Sequence, residues 1–140
     1  MKSFEAAIEI EAPQERVFEY VSDMTRHHEW AANTIRLEKD GDGFRSYGRQ
    51  LRHENRNILT IVESTSPIRF VFESTGREGR FRHVFEVEGA AGKSRLIKRF
   101  VVLHAVFPLS VMGPLFALAG RRNMRGDVRR IKRRLEQEQG

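Results

Sequence analysis

The chain contains no cysteine, which excludes disulfides, thiolate zinc sites and cysteine nucleophiles. This agrees with a reducing compartment, and a cytoplasmic location is expected. No signal peptide is expected either, because Met1 leads straight into the alternating segment Ser3–Glu11. There is no internal repeat, linker or low-complexity stretch, so residues 1–140 are expected to form a single domain. Motifs with built-in chemistry are missing too: no GxSxG elbow, GxGxxG fingerprint or HExxH pair occurs. His27-His28-Glu29 only superficially suggests a metal site, since adjacent helical residues diverge, and it reads as a surface pair. Gly92-Lys93-Ser94 has Val87 where a phosphate loop needs its first glycine, and Asp40-Gly41-Asp42-Gly43 lacks the later ligands of a calcium loop. No metal and no cofactor are expected. An uninterrupted membrane span is the last absence. Phe100–Ala119 is almost wholly apolar, but His104, Phe107-Pro108 and Gly113-Pro114 interrupt it, and its first part continues a strand.

What is present begins with Pro108–Leu135. Leu109, Met112, Phe116, Ala119, Met124, Val128, Ile131 and Leu135 recur close to the helical period. Between them lie Arg121, Arg122, Arg125, Arg129, Arg130, Lys132, Arg133 and Arg134. This spacing predicts one long amphipathic helix, beginning near Pro108 or Pro114, where proline is tolerated. The helix supplies most of the net charge of +6. Such a face is most often simply solvated, so no nucleic-acid partner is expected, while peripheral contact with a membrane surface stays open.

Upstream, Phe4, Ala6, Ile8 and Ile10 alternate with Glu5, Glu9 and Glu11, the pattern of a half-buried strand. Pro13–Val21 reads as a short helix with Val17, Tyr20 and Val21 on one face. Thr25 can cap a second short helix ending near Trp30. Strand-like runs follow at Thr34–Lys39, Phe44–Glu54, Ile58–Ser64, Ile68–Ser74, Arg80–Glu88 and Ser94–Leu103. Asp40-Gly41-Asp42-Gly43, Asn55-Arg56-Asn57 and the glycine-rich turns between the runs argue for antiparallel neighbours. The predicted class is α+β: a curved antiparallel sheet of about six to seven strands around a long C-terminal helix, with two short helices after the first strand.

The opening Ile8-Glu-Ile-Glu-Ala-Pro-Gln-Glu-Arg-Val-Phe-Glu-Tyr-Val-Ser-Asp23, followed by Arg26 and Trp30, resembles the START-like (SRPBCC) superfamily. The closest similarity is to its polyketide cyclase/dehydrase and lipid-transport branch. Arg122-Asn123, Val128, Ile131-Lys132 and Leu135-Glu136 resemble that branch's closing helix. The resemblance implies a helix-grip fold enclosing a hydrophobic cavity for lipids, polyketides or other apolar molecules. Many members bind without chemistry and a minority cyclise or dehydrate polyketides, so no catalytic residue transfers by motif. Ala31-Ala32 stand where the family often has proline after the tryptophan.

Alternation within Arg80–Glu88 puts Phe81, His83, Phe85 and Val87 on one face, so His83 projects between phenylalanines. A histidine in such a place can anchor a ligand oxygen or act as an acid or base, although a core histidine satisfied by a neighbour or water is the commoner case. Tyr47, Arg49, Leu51 and His53 share a face, as do Phe70 and Phe72. The candidate ligand-contacting set is Trp30, Tyr47, Phe70, Phe72, Phe81, His83, Phe85, Phe100, Met112 and Phe116, with His83 the one catalytic candidate. Core packing is the competing reading for each aromatic. Nothing in the sequence compels an enzyme. The expected function is binding or transport of an apolar small molecule. The alternatives are a cyclase or dehydratase using His83 and an interaction module docking through the basic helix. Monomer and homodimer are both compatible with the sequence.

Overall fold

In the computed structural model, which describes residues 2–31, 34–41, 43–50, 53–106 and 113–138, the chain builds one sheet and lays a long helix along it. The strands are β1 (Ser3–Ile10), β2 (Thr34–Asp40), β3 (Gly43–Gln50), β4 (His53–Thr65), β5 (Arg69–Gly76), β6 (Gly79–Ala90) and β7 (Lys93–Ala105). Helix α1 (Gln14–Ser22) and a 3-10 helix (Met24–Glu29) separate β1 from β2, and α2 (Gly113–Glu138) closes the chain. All pairings are antiparallel, in the spatial order β1-β7-β6-β5-β4-β3-β2. The first strand therefore lies beside the last, and β1 and β2 form the two edges.

The period-2 pattern decides which side is covered. Phe4 and Ile10 of β1, Leu59 of β4, Phe70 and Phe72 of β5, Phe85 and Val87 of β6 and Leu96 of β7 are buried on the concave face. Val17, Tyr20 and Val21 of α1 and Val128, Ile131 and Leu135 of α2 join all of these but Phe4 in one cluster. The convex face is charged. Glu63, Arg69, Glu86, Arg99 and Glu5 form successive ion pairs of 3.2–3.6 Å across β4, β5, β6, β7 and β1.

Three local expectations are corrected. Asn55, Arg56 and Asn57 belong to β4, because Gln50 already pairs with His53. The polar triplet that suggested a turn is strand backbone with partners in β3, and Asn57 pairs with β5 as well. Asp23, not Thr25, caps the 3-10 helix, its Oδ1 accepting from Thr25 N–H at 3.0 Å. Helix α2 is described from Gly113, with Pro114 in its first turn as expected, but Ala119 is exposed rather than on the buried stripe. Leu109 and Met112 lie outside the described residues.

The two halves of α2 are held differently. Met124, Val128, Ile131 and Leu135 are buried in the second half. There Lys132 Nζ donates to the Glu9 carbonyl at 2.8 Å, and Glu136 accepts from the Glu11 N–H at 2.9 Å. Arg26 reaches both Glu29 and Glu138, tying the C-terminus of α2 to the 3-10 helix. Among the described side chains from Gly113 to Asn123, none is buried. The close contact in that half is at Gly120, where a Cβ would stand 3.2 Å from the Phe4 ring.

The buried stripe of α2 gives a stability prediction. Ile131→Ala should lower the unfolding free energy by about 2–5 kcal/mol. Ile58→Ala, on a side chain 54% exposed, should change it by less than about 0.5 kcal/mol in the same urea titration.

Candidate functional site

The concave face carries a continuous row of rings. Phe72 stacks on His83 with centroids 4.4 Å apart and planes 10° from parallel. The His83 ring meets Phe100 edge-on at 5.1 Å, and Phe100 stacks on Phe81 at 5.2 Å and on Phe4 at 6.2 Å. In the other direction Phe72 reaches Phe85 at 6.2 Å and Phe70 at 6.0 Å, and Phe85 meets Trp30 at 5.4 Å. The register explains the row, because Phe72, His83, Phe100 and Phe4 are successive cross-strand partners on β5, β6, β7 and β1.

Burial is uneven along this row. Ile10, Phe85, Val87, Leu96 and Trp30 are each no more than 2% exposed, so that end is filled. His83, Phe100 and Val102 face the same interior yet keep part of their surface accessible. They lie toward the end where Gly120 of the loosely held half of α2 passes over Phe4. Among the described residues the concave face is filled around Phe85 and Trp30, and beyond them the partly accessible His83, Phe100 and Val102 stand beside the buried Phe81 and Phe4.

Polar groups interrupt the apolar lining. Ser74 Oγ lies 3.3 Å from His83 Nε2, while His83 Nδ1 is covered and has no hydrogen-bond partner among the described residues. If the Ser74 hydroxyl donates, Nδ1 carries the proton and offers a donor; in the other tautomer it offers an acceptor. His27 Nδ1 and Trp30 Nε1 are likewise buried without a partner among the described residues. Lys98 enters from β7, and its Nζ bonds Asp127 Oδ2 of α2 at 2.8 Å. The ammonium also stands 4.8 Å from the Trp30 ring centroid and 5.5 Å from that of Phe85. Asp127 Oδ1 accepts from Arg130 Nη2 at 2.5 Å, and Arg130 Nε donates to the Trp30 carbonyl at 2.7 Å. One ionic cluster therefore joins β7, α2 and the end of the 3-10 helix.

Burial holds both histidines neutral. Removal from water, then the nearby Lys98 charge, pushes His27 down to about 3, with Asp127 opposing. The same desolvation, with Lys98 and His27, holds His83 well below its ordinary value. A neutral His83 can accept or donate a hydrogen bond at physiological pH, and it is poorly charged for acid work there.

The candidate residues divide clearly. Trp30, Phe70, Phe72, Phe81, His83, Phe85 and Phe100 are brought together on the concave face. Tyr47 is not among them. Phe44, two strands from Ser74 through Leu59, faces the core, and Tyr47 has the opposite parity on β3. Its ring lies on the convex side, with the Arg36 guanidinium 4.1 Å away and that of Arg56 at 5.9 Å. The face assigned to Tyr47, Arg49, Leu51 and His53 does not run through one strand, because β3 ends at Gln50 and β4 starts at His53. Met112 and the side chain of Phe116 lie outside the described residues, and His104 is exposed.

His27 corrects the surface reading of His27-His28-Glu29: only His28 is exposed, and His27 packs 4.4 Å from Trp30 and 5.4 Å from Phe72. Lys98 and Asp127 were overlooked as interior groups. Alternation already places Lys98 with Leu96 and Phe100, and Asp127 is the one acid in the basic run of α2 before Glu136. Among the described residues, no group of three or more His, Asp or Glu side chains could hold a metal. Two clefts of about 280 Å³ open outward. One lies between β1 and α2, lined by Glu5, Ala6, Ala7, Ile8, Arg125, Val128 and Arg129. The other lies beside α1, lined by Arg16, Glu19, Tyr20, Asp23, Arg26, Leu135 and Glu138.

With this geometry in view, comparison with known proteins gives a consistent result. The model of the family described as polyketide cyclase / dehydrase and lipid transport matches residues 1–136. No curated protein sequence matches the chain. A START superfamily protein from Mycobacterium smegmatis has a similar structure, with a TM-score of 0.82 at 14% identity, covering 96% of this chain and 97% of that one. A protein from Thermus thermophilus is similar at a TM-score of 0.81 and 16% identity, covering 99% of this chain and 100% of that one. The di-domain ARO/CYC protein BexL of the BE-7585A biosynthetic pathway is similar at 0.75 and 16% identity, over 97% of this chain and 47% of BexL.

The buried ion pair and the sealed histidine can each be tested. Asp127→Leu alone leaves Lys98 buried without its partner and should destabilise the fold by about 3–5 kcal/mol. Adding Lys98→Met should restore most of that loss in a denaturation double-mutant cycle. For pH, the unfolded chain takes up a proton on His27 near its ordinary 6.5, whereas the folded chain resists until about 3. Stability should therefore be full above that ordinary value and fall as pH drops through the window between them. His27→Phe should flatten this part of the stability profile measured by thermal unfolding.

Proposed function

The chain belongs to the polyketide cyclase/dehydrase and lipid transport family, and we propose that it binds and carries an apolar, lipid- or polyketide-like small molecule between the sheet and α2. The observation that carries this reading is the unevenly buried concave face. Its aromatic row is packed solid around Phe85, Trp30 and Leu96 but stays partly accessible at His83, Phe100 and Val102. An apolar ligand entering at that end would gain roughly 25 cal/mol per Å² of apolar surface removed from water, before association costs. The unpartnered His83 Nδ1 would fix its orientation by one hydrogen bond to a ligand oxygen. Met112 and Phe116 are proposed as further ligand contacts on the sequence pattern alone.

A second reading, a cyclase or dehydratase with His83 as acid/base, is favoured by the Ser74–His83 contact beside Lys98 and His27. A neutral His83 is in the protonation state of a base, although its lowered pKa makes it a weak one. BexL, a structural neighbour, is an ARO/CYC protein and supports this reading as analogy.

Native mass spectrometry with organic extraction of the purified protein tests the reading. One apolar passenger per chain is expected, recovered chemically unchanged. Phe100→Glu should abolish uptake of the passenger and of an apolar dye. His83→Phe should weaken the passenger about tenfold, the loss of one hydrogen bond, while leaving dye uptake intact. An empty protein that takes up no apolar dye would overturn the binding reading. Conversion of an added polyketide-like substrate, lost in His83→Phe, would replace the carrier with the enzyme.

A further inference from the structure

The outward stripe of α2 is not an ordinary solvated face. Leu115 and Leu118 are 66% and 56% exposed, and steps of three and four residues carry their face on through Arg122, Arg125, Arg129 and Arg133. All four arginines are exposed, and the buried Met124, Val128, Ile131 and Leu135 lie on the other side. Three cations off the stripe are paired: Arg130 with Asp127, Lys132 with Glu136 and Arg134 with Glu29. The stripe arginines make no ion pair among the described residues. Arg125 and Arg129 also border the cleft of about 280 Å³ against β1, an edge strand with no second neighbour among the described strands.

We propose that this stripe docks the protein on an anionic phospholipid surface. Leu115 and Leu118 enter the acyl boundary, and a headgroup phosphate sits between Arg125 and Arg129 at the β1 edge. The stripe is roughly 27 Å long from Leu115 to Arg133 at 1.5 Å per residue, enough to lie flat on several headgroups. Arginines alone would suit nucleic acid as well as lipid. Two large exposed leucines continuing the same stripe fit a surface with an apolar layer beneath its charges. No described helix is long and apolar enough to cross a membrane, so the contact is peripheral. The docking itself does not depend on what the concave face holds.

Cosedimentation with lipid vesicles tests this on the whole protein. Binding is expected to phosphatidylcholine vesicles containing phosphatidylglycerol, and not to phosphatidylcholine alone, with affinity falling as salt rises. Each surface arginine is worth roughly fivefold, so Arg122→Gln/Arg125→Gln/Arg129→Gln should bind on the order of a hundredfold more weakly. Leu115→Ser/Leu118→Ser should lose at least about tenfold without altering the salt dependence. Both variants should unfold at the wild-type temperature and still take up apolar dye, which separates lost docking from a lost fold or a lost ligand site. Equal binding to both vesicle types, or a leucine variant that binds like wild type, would overturn the proposal. So would a duplex oligonucleotide that displaces the protein from vesicles and binds the leucine variant unimpaired.

Discussion

The contact on which the rest depends is the Lys98–Asp127 bond, a charge pair buried between the sheet and the helix that lies on it. Hydrophobic packing alone would tolerate small slides of α2 along the concave face, because apolar contacts have little directionality. A single N–H···O bond of 2.8 Å does not slide. Arg130 adds a second tie from the same carboxylate to the Trp30 carbonyl, so sheet, long helix and 3-10 helix share one fixed point. Two charges taken out of water are a poor source of net stability. Their structural effect is positional: they set where the second half of α2 sits, and the described residues of the first half show no comparable polar tie.

That asymmetry shapes the interior. Around the fixed point the rings of Trp30, Phe85 and Phe72 fill the space, and His27 is sealed among them in its neutral form. Beyond it, His83, Phe100 and Val102 face the same side but retain access. The Lys98 charge acts across this boundary, since it disfavours protonation of both histidines. One ammonium group placed among aromatic faces thus sets the electrostatics of an otherwise apolar interior.

The architecture was legible because it rests on period. Alternation in Phe4–Ile10 and Arg80–Glu88 and the helical spacing of Met124, Val128, Ile131 and Leu135 are written directly in the chain. The concave aromatic cluster followed from the same alternation, and His83 with it. Tyr47 was misplaced because alternation gives two faces and not which one is covered; the choice is made by β4 and β5, distant in sequence. Asn55 and Asn57 were misread because polar residues signal turns only where backbone partners are missing, and here strand partners are present. His27, Lys98 and Asp127 were missed for a related reason. A charged or titratable residue is assigned to solvent by default, and only the tertiary partner reverses that assignment.

The strand order has a consequence for how the molecule comes into being. Ser3 pairs with Val101 and Ile10 with Ser94, so β1 has no strand to join until β7 exists. On the ribosome the first strand emerges early, while the meander from β2 to β7 can grow hairpin by hairpin without it. Joining the chain's first strand to its last closes the longest loop in the sheet, the kind of step that slows folding. Helix α2, which packs over β1, can seat only afterwards. The edge that meets α2 is therefore among the last parts to be made, and a chain stalled before its final segment would carry an exposed, unpaired β1.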